Sequence, residues 1–268
     1  MGLGGGTTTW GEWGAARVVC GLEGGGSKAA SMPIGPINYL NAKYKGQSDV
    51  SYTADTRKEL MTSYDMSIAD GRALPNDGLA QLQSRGFVVV PFLSEVAADL
   101  GCVENPDHYK TPDQLATPES EMARSTRESY FRECEELVGG MVGAAHCFVI
   151  GHAVRRGNTN AGGVGYLTAY ATFAHCDYTT SIADGAPKML AKRGVPPEEA
   201  EQMDVAFFNI WQPTNATVHN HPLALLDWRT VAETDVMGVE LGYAVTPSSD
   251  RSKQARAPQI VRRPSCSA

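Results

Sequence analysis

The sequence predicts an α+β, mainly β fold, in which a sandwich or barrel of short strands is decorated by helices. Three observations predict it. Short β-branched and aromatic runs, among them 87–90, 205–212 and 239–245, are broken by Gly, Asn and Pro. No G-x-G-x-x-G follows a strand-like run and no G-x-x-x-x-G-K-[ST] is present, which argues against a nucleotide-binding parallel sheet. A chain of 268 residues with 42% apolar and 20% charged residues is long enough to bury a sizeable core.

The elements follow in chain order. Ten of the 28 glycines fall within residues 1–26, a density whose backbone entropy opposes regular structure, so residues 1–48 are expected to form a flexible arm. The main folded domain is expected over 49–250. Asn76 is placed to cap a helix over 76–85, and Gly86 then opens the β-branched strand Phe87 to Val90, which Pro91 interrupts. A capping Thr117, Pro118 at the first helical position and acids in the first turn precede Tyr130, Phe131, Cys134, Leu137 and Val138 at helical spacing. A helix over 118–138 follows, with Gly139 and Gly140 as its stop. Residues 145–155 read as a strand with His146, Phe148, Ile150 and His152 on one face. Further strands are expected near 169–178, 205–212, 223–228 and 239–245, with a helical insertion over 181–203 that contains Pro196-Pro197. Residues 251–268 carry five Lys or Arg and no acid, and are expected to be a disordered basic tail.

Charge narrows the partners. Thirty acids against 23 bases give a net charge of −7, which argues against a nucleic-acid face or an anionic membrane surface and leaves small molecules, such as a small-molecule substrate, or proteins as partners. The apolar runs fall far short of the roughly 20 residues of a membrane span, and the N-terminus lacks a basic start followed by an apolar block. Gly6 stands where a myristoylation start needs Ser or Thr. Six cysteines without a C-x-x-C pair match neither a disulfide scaffold nor a zinc knuckle. A cytoplasmic protein with reduced thiols is expected, and Asn215-Ala216-Thr217 is then a chance match to a glycosylation tripeptide. The stretch 95–136, with eleven acids and four bases, reads as a solvated helical face.

The most informative segment is Ala174-His175-Cys176-Asp177-Tyr178. In an extended chain His175 and Asp177 share a face and Cys176 takes the other, so an imidazole and a carboxylate can reach one cation. With a further His they make a 2-His-1-carboxylate set with open positions. His219 and His221 are also two apart and either supplies that His. The plain alternatives are a hydrogen-bonded pair on a half-buried strand for His175 and Asp177, packing for Cys176, core positions for His146 and His152, and surface for His108.

Four spaced blocks, VIGHAVRR (149–156), AHCDYT (174–179), FFNIWQPT (207–214) and PLALLDWRTV (222–231), together resemble the AsaB-like hydroxylase/desaturase family, which includes CmcJ-type and gibberellin-desaturase-like proteins. DGRALPNDGLAQLQSRGFVVVPFLSEV (70–96) and HYK (108–110) fit the same order, and the likeness spans roughly 65–250. The resemblance implies a double-stranded β-helix, a cupin-like jelly roll, that uses non-haem Fe(II), 2-oxoglutarate and O2 to hydroxylate or desaturate a small secondary-metabolite-like molecule. It implies His175 and Asp177 as iron ligands. The family's distal His and the Arg that follows it have no counterpart after His221, so the third ligand is assigned to His221, with His219 the other candidate, and the 2-oxoglutarate carboxylate to Arg229. Arg155-Arg156 is a second basic candidate, since Gln212 stands where the family commonly has Arg. Two readings compete: a catalytically silent relative that binds a small molecule or partner, and a cupin-type metal hydrolase or isomerase using another metal.

Overall fold

The structure is a computed structural model and describes residues 16–21, 32–44, 50–51, 57–75, 77–106, 118–155, 170–178, 180–214, 218, 221–232, 235–242 and 256–260. Its strands are β1 (Ala16–Gly21), β2 (Ile34–Leu40), β3 (Val50–Ser51), β4 (Met61–Ser67), β5 (Phe87–Pro91), β6 (Phe208–Trp211), β7 (Val236–Gly242) and β8 (Arg256–Ile260). Its α-helices are α1 (Arg57–Leu60), α2 (Leu79–Arg85), α3 (Glu121–Val142), α4 (Ala186–Ala191) and α5 (Pro197–Ala200). The arrangement is mixed α/β with a small antiparallel sheet.

β5 forms where the β-branched run predicts it. Phe87, Val88 and Val90 are buried and Val89 is half-buried, so the strand is covered on both faces, the condition under which parallel pairing is found. β1 lies between β5 and β6 and runs parallel to both, with residue 17 opposite Phe87 on one side and Asn209 on the other. The missing phosphate-binding motif speaks about a ligand, not about strand direction, and three short parallel strands are compatible with the expectation against a nucleotide-binding sheet. β1 and β2 also fall inside the segment that glycine density assigns to an arm, and β8 inside the basic tail. Once a partner strand supplies hydrogen bonds, local entropy is outweighed.

β2 and β4 pair antiparallel in continuous register from Ile34 opposite Ser67 to Leu40 opposite Met61. β7 pairs parallel with β3 and antiparallel with β8. One core cluster gathers Leu82 of α2, Val88 and Val90 of β5 and Val138 of α3, with Phe208 and Ile210 of β6 packed against it. A second joins Leu100, Val103 and Val154, with Tyr130 alongside.

α3 begins and ends later than expected. Ser120, not Thr117, caps it, its Oγ accepting from the Ala123 amide at 3.1 Å. At the other end Gly139 and Gly140 stay helical and the stop is Gly143, whose φ of 66° is the left-handed conformation that ends helices. α2 is also shorter than expected, starting at Leu79, and Asn76 lies outside the described residues. Gly86 closes α2 at φ 78° and lets the chain turn into β5.

The expected strand over 145–155 does not form: among the described residues the segment joins no sheet. Side chains take its hydrogen bonds instead. The Glu135 carboxylate accepts from the Val149 amide at 2.7 Å, the Arg193 guanidinium donates to the Val149 carbonyl at 2.9 Å, and Asn105 both donates to the Val154 carbonyl and accepts from its amide. Residues 223–227 likewise form no strand and lead into a 3-10 turn at Trp228–Thr230. The insertion over 181–203 is helical, as a 3-10 turn at Thr180–Gly185 followed by α4 and α5, with Pro197 at the first position of α5.

Candidate functional site

The segment that carries His175 is built onto the edge of β2 by one residue. The Asn38 side chain donates to the Thr172 carbonyl at 2.7 Å, and the Asn38 carbonyl accepts from the Ala174 amide at 2.8 Å. These bonds set the chain that runs on through His175 to Asp177. His175 occupies a lone β-bridge position rather than a regular strand.

The imidazole is oriented from behind. His175 Nδ1 lies 2.9 Å from the Phe173 carbonyl oxygen, which can only accept, so Nδ1 donates to it. Nε2 stands 3.1 Å from Asp177 Oδ1. Asp177 Oδ2 accepts from Asn209 Nδ2 of β6 at 2.5 Å. His175 is about one-fifth exposed and Asp177 more so, at 21% and 38%, so the pair is open to a solute. Phe173 tilts against the His175 ring at 4.8 Å, and Tyr178 against Phe207 at 5.7 Å.

Chemically, the pair is an imidazole and a carboxylate within hydrogen-bond distance, Nε2 to Oδ1 at 3.1 Å, and with a proton on Nε2 the imidazole donates to the carboxylate.

Other residues singled out in the sequence are placed as follows. His221 is exposed at φ 51°, its ring stacked on Tyr170 at 4.2 Å, so it meets the same 170–178 segment at its start. Among the described residues no group of three His, Cys, Asp or Glu is arranged to hold a metal; His219, His108 and Arg156 lie outside them. Arg229 grips Asp227 with Nε to Oδ1 at 2.9 Å and Nη2 to Oδ2 at 2.7 Å, while Arg85 of α2 reaches the same carboxylate at 2.5 Å. The hydrogen bonds from Arg229, with both positive charges adding to them, hold the Asp227 carboxyl below the usual carboxylate range. Gln212 accepts from the Tyr130 hydroxyl at 2.7 Å, which ties the end of β6 to α3.

His146 and His152 make contacts of a structural kind. His146 Nε2 lies 3.3 Å from Glu199 Oε1 with its ring stacked on Phe148, and His152 Nε2 lies 2.7 Å from the Glu104 carbonyl with its ring edge-on to Phe131. Cys176 is half-buried. Burial pushes the Cys134 thiol up to about 12, which makes it a packing residue with little thiolate at neutral pH.

Sequence reasoning missed Asn38 and Asn209. The only signal for Asn209 is its type: an amide in the middle of an apolar strand, Phe208-Asn209-Ile210-Trp211, asks for a polar partner. Asn38 gives no local signal, because its partners lie 134 and 136 positions away in sequence.

No curated protein and no solved structure matches the chain. No helix among the described residues is long and apolar enough to cross a membrane. A family model described as an oxidoreductase/YMDC permease-like domain matches residues 36–258, from β2 into β8 and across the whole His175–Asp177–Asn209 cluster. With most of its length covered, the chain belongs to the oxidoreductase/YMDC permease-like domain family, an oxidoreductase-like family.

Proposed function

We propose that the protein is an oxidoreductase of the AsaB-like type that uses Fe(II), 2-oxoglutarate and O2 to hydroxylate or desaturate a small organic molecule, on a core of double-stranded β-helix type. The observation that supports this reading is that His175 Nε2 and Asp177 Oδ1 face each other at 3.1 Å, so that a cation replacing the proton between them would meet an imidazole and a carboxylate. His175 and Asp177 would hold the metal. The third donor is His221, through its contact with the segment that bears them, with His219 the alternative. Arg229 is the partner for the co-substrate's distal carboxylate. Asp227 takes two of its side-chain N–H donors out of the five a guanidinium carries, and the side chain is 55% exposed.

When bound, such a centre supplies the oxidising power for an unactivated C–H bond; the protein's part is position and electrostatics. The Phe173 carbonyl orients the His175 ring, and Asn38 holds the segment. Phe173, Tyr178 and Phe207 give the neighbourhood an apolar, aromatic character suited to a small organic substrate.

The test is an anaerobic titration of the purified full chain with Fe(II) and 2-oxoglutarate, followed by the visible charge-transfer band of the chelate. A saturable band lost in His175→Ala and in Asp177→Ala, together with Fe(II)-dependent release of succinate, is the expected result. Folded protein with no band overturns the reading and favours the catalytically silent binder. A metal bound without any response to 2-oxoglutarate overturns it in favour of a cupin-type hydrolase or isomerase.

A further inference from the structure

We infer that the turn at 227–230 and the end of α2 form an oxyanion site, in which Arg85 and Arg229, brought together on the single carboxylate of Asp227, take a carboxylate or a phosphate of a small molecule. The inference rests on the assignment of Arg229 to an anion given above, adds Arg85 to it, and needs no metal.

Charge and burial carry it. Arg85 Nη1 and Arg229 Nη2 both donate to Asp227 Oδ2, at 2.5 and 2.7 Å, and Arg229 Nε donates to Oδ1 at 2.9 Å. Two guanidinium cations thus stand at one carboxylate, and among the described residues neither has a second acidic partner. One positive charge is left uncompensated, and the two cations repel each other at such close range. The Arg85 side chain is only 19% exposed, yet of the five N–H donors of a guanidinium it gives one to a described partner. A cation so far removed from water is costly until its donors are paired. A clasp between α2 and the turn needs one arginine. The second adds repulsion that an incoming oxyanion relieves, and the planar fork of each guanidinium suits the paired oxygens of a carboxylate or phosphate. The turn is also built before any ligand arrives. The Arg229 amide donates to Asp227 Oδ1 at 3.1 Å, and the Thr230 hydroxyl donates to the Asp227 carbonyl at 2.7 Å. A Cβ at Gly86 would lie 3.5 Å from Trp228 Cβ, so the helix end and the turn are in van der Waals contact. The Arg229 side chain is more than half exposed, which leaves the site open to a solute.

The experiment uses the full chain in low-salt buffer with a chelator present, titrated by calorimetry with 2-oxoglutarate, succinate and inorganic phosphate. Saturable binding is expected, weakening as sodium chloride is added. Arg85→Gln and Arg229→Gln are each expected to weaken it about tenfold, the worth of one charge-assisted hydrogen bond. Asp227→Asn removes the carboxylate that competes for the same donors and is expected to bind the anion more tightly, by a factor of about 10, whereas a purely structural clasp predicts no gain. If that variant does not fold, the two arginine variants decide, Arg229→Gln being a change at an exposed side chain. Tighter binding of the two carboxylates than of phosphate assigns the site to an organic acid, and the reverse order assigns it to a phosphorylated molecule; both support the inference. Folded wild type that binds none of the three, or binding that both arginine variants retain at full strength, overturns it. The iron reading fails separately: where the charge-transfer band is missing and anion binding is intact, the oxyanion site stands.

Discussion

The core beneath β5 and the segment 170–178 are held by opposite means. In the core, Leu82, Val88 and Val138 are at most 3% exposed, and the energy there is area removed from water, spread over many contacts and indifferent to direction. In the site segment a handful of directed bonds does the holding: Asn38 to Thr172 and Ala174, Phe173 to His175, Asn209 to Asp177. The core tolerates small displacements and dislikes lost volume. The segment loses little stability when a bond is removed, yet its geometry depends on each one. A site that must stay open to a solute cannot be fixed by burial, so it borrows rigidity from strands whose other faces are buried.

Four substitutions break or sharpen this contrast. Leu82→Ala is expected to cost the most, about 3 kcal/mol, read from urea midpoints, while amide exchange across 172–178 in the folded protein stays unchanged. A cost below about 1 kcal/mol would show that the core is not the principal source of stability.

Asp227→Ala comes next, at about 2 kcal/mol at neutral pH for a charged hydrogen-bond network that leaves Arg85 without its carboxylate. Because Arg229 and Arg85 lower the folded pKa of Asp227, its contribution is fully present above its unfolded value of 3.8 and is lost as pH falls through the lower folded value. The urea midpoints of wild type and variant should converge on acidification below that value. Midpoints that stay parallel through the acid range would contradict the assignment.

Asn38→Ala sharpens the comparison most directly. It is expected to cost about 1 kcal/mol globally, the worth of one neutral hydrogen bond, but to speed amide exchange across 172–178. Unchanged exchange in that segment would show that its position is set elsewhere.

The smallest effect is expected at the exposed Arg72–Asp70 pair, whose side chains are 65% and 44% exposed. Arg72→Ala should change stability by less than about 1 kcal/mol and progressively less in salt. A larger loss would mean that surface electrostatics contribute more than the contrast allows.

Much of the helix and strand content was legible because it is local. The spacing of Tyr130, Cys134 and Val138 is a property of the chain alone, and so is the β-branched run in β5. The ends of α3 were less legible, since glycine stops a helix only where the backbone takes the left-handed conformation, which Gly143 does and Gly139 and Gly140 do not. Residues 145–155 have strand chemistry but, among the described residues, no partner strand; Glu135, Asn105 and Arg193 take bonds that a neighbouring strand would make. At the site, the two-residue spacing of His175 and Asp177 was visible, whereas the groups that orient them come from β2 and β6.

By itself the sequence determined which segments favour helix or extended chain and which residues bring donor chemistry, because propensity, periodicity and side-chain type act over a few positions. Tertiary structure alone decided that β1 runs parallel between β5 and β6, that Asn38 tethers the site segment, and that Asn209 meets Asp177. Those depend on which distant strands share an edge, and no local pattern encodes the closing of a loop between them.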